Sequence, residues 1–168
     1  MIHDVTLEHL VLTDGDVIVR SAHLDDERLL TNWFTDPGVY AYWGGSPLPG
    51  EYIRKRCCVE TSDNDTAWPF IIVHQGVPAG FIQAWLRADR IGGLDLFVAP
   101  AHRRKKIALR ALPLLAKYLR DEHGWKRVTV DPRVDNIGAV AFFERAGFTD
   151  SGDRFYDGDD LHMLMELR

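Results

Sequence analysis

Between Gly92 and Leu112 an apolar run stops at a proline, and four consecutive cations then lead into a long amphipathic stretch. The order is Gly92-Gly93-Leu94-Asp95-Leu96-Phe97-Val98, Ala99-Pro100, then Ala101-His102-Arg103-Arg104-Lys105-Lys106-Ile107-Ala108. It predicts a strand, a basic turn and a helix from about Arg104 to His123. A helix N-terminus carries partial positive charge, so each cation placed there costs about 0.3–1 kcal/mol. A bound polyanion relieves that repulsion, and the unpaired N–H groups of the first turn offer it a cradle. Strand, basic turn and helix together read as a grip for a pyrophosphate, with Arg103, Arg104, Lys105, Lys106, Ile107 and Ala108 as its residues.

The rest of the chain sets the frame for that grip. At 168 residues it suggests one domain, residues 1–168, with a full core. No apolar run approaches the ~20 residues that cross a bilayer, and no basic-then-apolar leader pattern opens the chain. The net charge of −5 speaks against nucleic acid as the main partner and is compatible with a cationic substrate as with a neutral one. Cys57 and Cys58 are adjacent, a poor arrangement for a structural disulfide, so a reducing cytoplasm is expected, and two thiols without a role are an equally plain reading. Seven histidines and two cysteines show no metal-ligand spacing, so no metal is expected.

Secondary-structure signals alternate along the chain. Leu10–Thr13 and Asp16–Arg20 flank Asp14-Gly15, a favoured type I′ hairpin pair. Leu24–Phe34 has helical spacing with Leu29, Leu30, Trp33 and Phe34 on one face. A short helix is expected over Asp36–Tyr42, another over Glu51–Glu60, and a polar turn at Thr61–Thr66. Trp68–His74 and Ala79–Arg87 form a second hairpin about Gln75-Gly76. Pro113 predicts a bend in the long helix, which Gly124 closes. Arg127–Val130 is a strand, Asn136–Ala146 a helix, and Phe148–Tyr156 with Asp160–Leu167 a last hairpin. Strands first, then helix, strand, helix, strand, strand describe an α/β (α+β) domain with a mixed sheet flanked by helices.

The spacing Arg103-x-x-Lys106-x-Ala108 after a strand resembles the acyl-coenzyme A loop of the GNAT N-acetyltransferase superfamily, Gln/Arg-x-x-Gly-x-Gly/Ala. A second element agrees with it: Asp131-Pro132, Asn136, then Ala139-Val140-Ala141-Phe142-Phe143-Glu144-Arg145-Ala146-Gly147-Phe148. A narrower resemblance covers most of the chain. Trp43-Gly44-Gly45, Gly93-Leu94-Asp95, Asp131-Pro132, the Glu144–Phe148 segment and Asp157-Gly158 resemble aminoglycoside 6′-N-acetyltransferases, in the same order. Siderophore-pathway N-acyltransferases share part of this pattern.

The resemblance implies a mostly antiparallel GNAT-type sheet and acetyl-coenzyme A as cosubstrate. It implies acetyl transfer to a primary amine of a small cationic acceptor, most specifically an aminoglycoside 6′-amine, with antibiotic resistance as the cellular counterpart. Asn136 and Phe143 would stand at the coenzyme, and N–H groups around Phe97 and Val98 at the thioester. Two departures stand out. Lys106 replaces a glycine whose missing Cβ lets backbone approach pyrophosphate; lysine either adds a charge-assisted contact or weakens the site. Phe143 replaces a tyrosine that could protonate the leaving thiolate. Tyr156 lies in the last hairpin, but the sequence does not place its hydroxyl.

Asp95 is the candidate catalytic residue. A carboxylate in mid-strand beside the grip is poor strand chemistry, and in the resembling enzymes it meets the acceptor amine, which must lose a proton before attack. A salt-bridged or solvent-facing aspartate is the alternative. Asp131 ends the next strand and is read either as a second acidic substrate contact or as a helix cap. Trp43 is read as an acceptor wall or a plain core residue, and Gln83 as a substrate contact by resemblance, with Trp85 beside it. Asp153, Asp157, Asp159 and Asp160 form either an attractor for polycations or an ordinary polar turn. A siderophore-pathway or protein N-terminal acyltransferase is the alternative enzyme, and a binding module with a degraded coenzyme site the alternative of another class. Monomer and homodimer both remain open.

Overall fold

β-Branched and aromatic residues fill the two central apolar runs, and both become long strands. They are β3 (Ala67–His74) and β4 (Val77–Leu86), joined at Gln75-Gly76, where both residues take the left-handed backbone with φ of 51° and 78°. In this computed structural model, residues 7–61, 67–87 and 89–168 are described. Of the turn expected at Thr61–Thr66, only Thr61 falls within them.

Six further strands complete one sheet: β1 (Val11–Asp14), β2 (Val17–Ser21), β5 (Ile91–Val98), β6 (Arg127–Val130), β7 (Phe148–Asp157) and β8 (Asp160–Leu167). Their order is β1-β2-β3-β4-β5-β6-β8-β7, antiparallel everywhere except between β5 and β6. The expected mixed, mostly antiparallel sheet flanked by helices is therefore present. Both Asp-Gly hairpins close one residue later than expected. Asp14 pairs with Val17 and Asp157 with Asp160, so the turn pairs are Gly15-Asp16 and Gly158-Asp159. Only the glycine of each has positive φ, which a glycine-first turn requires and a type I′ turn does not satisfy.

Helices α1 (Glu27–Phe34), α2 (Pro37–Tyr40) and α3 (Gly50–Cys57) cover one face, and α4 (Ile107–Asp121) with α5 (Ile137–Arg145) covers the other. The alternation of β3 divides the core between them. Phe70 and Ile72 join Leu112, Leu115 and Leu119 of α4, whereas Ile71 and Val73 join Leu30, Phe34 and Ile53. In α1 only Leu30 and Phe34 are buried; Leu29, expected on the same face, is partly exposed. Helix α4 runs on through Pro113. Cys57 and Cys58 are buried free thiols, and burial pushes both well above the ordinary thiol range, Cys58 to about 12.

One irregularity positions the site. β5 and β6 pair only over Ile91↔Arg127, Gly92↔Val128 and Gly93↔Thr129, after which β6 turns to β8. The strands part there, and Leu94–Val98 keep an unpaired edge. At the root of the split a Cβ on Gly92 would lie 1.9 Å from the buried Trp125 ring, so only glycine fits.

Candidate active site

The four cations do not open the helix. Helix α4 begins at Ile107, and Arg103–Lys106 form the loop before it. Arg104 and Lys106 hold positive φ of 64° and 58° around Lys105. Such alternation of hand curls successive N–H groups into a concave anion-binding nest. Lys106 is the N-cap, and no side chain caps the helix, so the first-turn N–H groups face a cavity of about 310 Å³ with Val98, Ile107, Ala108, Phe142 and Arg145 around it. The position where the GNAT loop has glycine is therefore a left-handed one, which lysine adopts at roughly 1–2 kcal/mol. Arg103 differs from its neighbours. Its Nε donates to the Val98 carbonyl at 2.9 Å and its Nη2 to the Gly38 carbonyl at 2.6 Å, so its side chain braces the loop instead of pointing freely at an anion.

The unpaired edge of β5 has a definite polarity. Ala99 N–H donates to Ala79 of β4 at 2.8 Å, while Gly92 O faces the other way and accepts from Thr129 Oγ1 at 3.0 Å. Backbone groups alternate along a strand, so the N–H groups of Leu96 and Val98 face the split and that of Phe97 faces β4. This corrects Phe97 as a donor. Its ring packs edge-on against Trp33, Phe34 and Trp43 in the aromatic core. Leu96 lines a second cavity and Val98 the loop cavity, so the two N–H groups belong to residues of the two cavities in turn.

That second cavity, about 320 Å³, lies between β5, β6, α5 and the loop after α2. Asp95 and Asp131 both line it, together with Trp43, Tyr42 and Phe143. Asp95 opens to the cleft yet has protein around most of its carboxyl, and this loss of hydration, with the negative charge of Asp131, pushes its pKa up to about 6. Trp85 opposes the shift by donating its indole N–H to Asp95 Oδ2 at 3.0 Å. Asp131 is also raised, through burial and Asp157, against a lowering pull from His162. His162 Nδ1 donates to the Asp131 carbonyl at 2.6 Å.

Asp131 does not cap α5. That task falls to Asn136, whose Oδ1 accepts from Ala139 N–H at 3.1 Å; its expected place at the coenzyme is thus taken, at that oxygen, by the helix end. Gln83 is corrected more firmly. It is 1% exposed, and its amide donates to the Arg56 carbonyl at 2.9 Å. It secures the end of α3 from beneath and is shut off from the cleft. Trp43 is ringed by Phe34, Phe81 and Phe97 and also lines the cavity. Among the hairpin acids, Asp160 meets Arg133 at 3.4 Å and Asp153 meets Arg127 at 3.8 Å, ordinary surface pairs. Sequence reasoning missed Tyr52 and Arg56 of α3. Tyr52, raised mainly by burial, feels Asp95, and Arg56 lies over the Trp85 ring. Their spacing of four puts them on one helix face, but nothing in the sequence docks that face against β4.

No helix among the described residues is long and apolar enough to cross a membrane. No cluster of three or more His, Cys, Asp or Glu side chains among them could hold a metal ion.

Comparison with known proteins supports the same reading of the split sheet. The chain is 26% identical over 140 residues to "N5-hydroxyornithine acetylase sidL" of Beauveria bassiana, which covers 76% of this chain but 25% of that protein. It is 21% identical over 165 residues to "Aminoglycoside N(6')-acetyltransferase type 1" of Klebsiella pneumoniae, covering 88% of this chain and 82% of that one. Among solved structures, aminoglycoside acetyltransferase AAC(6')-Ib in complex with coenzyme A and kanamycin superposes with a TM-score of 0.77 at 18% identity, over 89% of this chain and 93% of that one. Spermidine N-acetyltransferase from Vibrio cholerae with CoA and spermine gives 0.72 at 17%, over 92% and 96%. These structural likenesses establish the fold. The sequence profile described as "Acetyltransferase (GNAT) domain" matches residues 23–154, and the chain belongs to the GNAT acetyltransferase family, enzymes that take their acetyl group from acetyl-coenzyme A.

Proposed function

We propose that this domain acetylates a primary amine of a small cationic acceptor, with an aminoglycoside 6′-amine as the best specific assignment. The observation that carries this reading is the pair Asp95 and Asp131, which line one cavity beside the unpaired edge of β5 and are close enough for the charge of Asp131 to act on Asp95. Two carboxylates around a cleft attract and orient a cation, and the nest beside them fits a pyrophosphate.

Acetyl-coenzyme A would supply the activated acyl group as a thioester. The backbone at Arg104–Ala108 would hold its pyrophosphate, and Lys105 and Lys106 would add charge. The N–H groups of Leu96 and Val98 would hold the thioester oxygen as negative charge develops there. Asp95 would anchor the ammonium form and take its proton, directly or through one water, before nitrogen attacks the carbonyl carbon. The C–S bond then breaks and the thiolate departs. Phe143 has no proton to give, so solvent supplies it. Trp43 and Tyr42 would present flat faces to a ring-shaped acceptor.

A second reading, acyl transfer to the nitrogen of a hydroxylated amino acid, draws on the identity to the fungal acetylase. A coenzyme site degraded by Lys106 is disfavoured, because Lys106 reaches the left-handed conformation that the loop requires.

The test is release of free thiol from acetyl-coenzyme A with kanamycin, spermidine and N5-hydroxyornithine as acceptors. Turnover with kanamycin that falls steeply, to a measurable residue, in Asp95→Asn supports the assignment. Preference for N5-hydroxyornithine selects the second reading, and turnover of none of the three removes the acceptor assignment.

A further inference from the structure

Trp85 shares a face of β4 with Gln83 and reaches across to β5. Its indole N–H meets Asp95 Oδ2 at 3.0 Å. The ring is held in turn: the Arg56 guanidinium lies 5.9 Å from its centre, and the Gln83 amide pins the Arg56 carbonyl at 2.9 Å. Cation, ring and carboxylate thus form one chain of contacts from α3 through β4 to β5.

We propose that Trp85 is a positioning residue for Asp95, occupying Oδ2 so that Oδ1 alone meets the acceptor amine. The proposal rests on Asp95 being the amine-facing group. Three groups act on Asp95 from the segments packed around it: Asp131 just after β6, Tyr52 from α3 and Trp85 from β4, with Arg56 beyond the indole. Burial and Asp131 oppose its ionisation, and Trp85 favours it. Deleting the indole N–H removes a hydrogen bond to the charged form, so the carboxyl pKa rises.

Trp85→Phe keeps an aromatic ring and removes the N–H. The first measurement needs no acceptor: the carboxyl carbon of Asp95 is followed by 13C NMR through a pH titration. The midpoint is expected to move above the value of about 6 held in the parent protein; an unmoved midpoint overturns the proposal. Should the variant fail to fold, the indole Nε1 resonance of Trp85 in the parent protein serves instead. It is expected to titrate with Asp95, and a flat response overturns the contact. The second measurement is a double-mutant cycle on kcat/KM with kanamycin. Trp85→Phe is expected to cost about tenfold in the parent and under about twofold in Asp95→Ala, which removes the acceptor of the indole N–H. Equal factors in both backgrounds would make Trp85 a packing residue. If kanamycin is not turned over, the NMR result still decides the Trp85–Asp95 contact, and only the acceptor assignment falls.

Discussion

Arg103 donates to the Gly38 carbonyl at 2.6 Å, and through its Nε to the Val98 carbonyl at 2.9 Å. One guanidinium therefore ties the basic loop both to the end of β5 and to α2, the helix that leads into Trp43. A cation expected to serve phosphate is spent on backbone carbonyls. That arrangement suits arginine, whose planar fork of donors can bridge two acceptors while lysine offers a point charge.

Arg103→Lys separates the two roles. As a brace, lysine is expected to lose about 1–2 kcal/mol of stability, nearly as much as Arg103→Ala, because neither side chain can span both carbonyls. Urea denaturation of the three proteins checks this. A lysine variant as stable as the parent would return Arg103 to the role of a simple charge.

Lys106→Gly relieves the backbone at φ 58°. The variant is expected to gain about 1 kcal/mol, less what the freer unfolded chain takes back. Its affinity for acetyl-coenzyme A should become less sensitive to salt, because one charge near the loop is gone. Calorimetric titration at two salt concentrations reads the change. A large rise in affinity at both would mean that the lysine side chain obstructs the coenzyme.

Gly92→Ala tests the root of the split. A Cβ there meets the Trp125 ring at 1.9 Å and the Trp85 carbonyl at 2.5 Å. Trp125 is 2% exposed and cannot step aside, so the variant is expected to lose about 3 kcal/mol or more, beyond ordinary overpacking. A thermal melt within about 2 °C of the parent would show that the ring repacks freely.

The fold was largely legible because the strands carry period-two patterns and the turns carry glycine. The basic loop was legible as charge against a helix end, but its start was not. Lys106 takes a left-handed conformation that no propensity assigns to lysine, and so α4 begins after the cations instead of among them. Asp95 stood out because a carboxylate in mid-strand is unusual. The fate of Gln83 was hidden, since its burial depends on α3 docking over β4, a contact between segments 27 residues apart. Phe97 and Leu96 were confused for a different reason. Which edge a backbone N–H faces depends on strand register, and side-chain patterns do not report it.

The carboxyl of Asp95 gives opposite signs for activity and stability. Its pKa is raised to about 6 by burial and by Asp131, against about 3.9 in an unfolded chain. On the proposed role the ionised form accepts the amine proton, so kcat/KM is expected to climb through pH 6 and level above it, and Asp95→Asn should flatten that rise along with most of the activity. For stability, the folded state binds the proton more tightly than the unfolded state does. The native protein therefore holds more protons between about pH 4 and pH 6, and stability falls as pH rises through that window. Above it the ionised carboxylate is a standing cost, which asparagine does not carry. Asp95→Asn should melt higher than the parent at pH 8, and the gap should close towards pH 4. Melting curves at the two pH values check the sign; a variant less stable at pH 8 would mean that the hydrogen bond from Trp85 outweighs the lost hydration of the carboxylate.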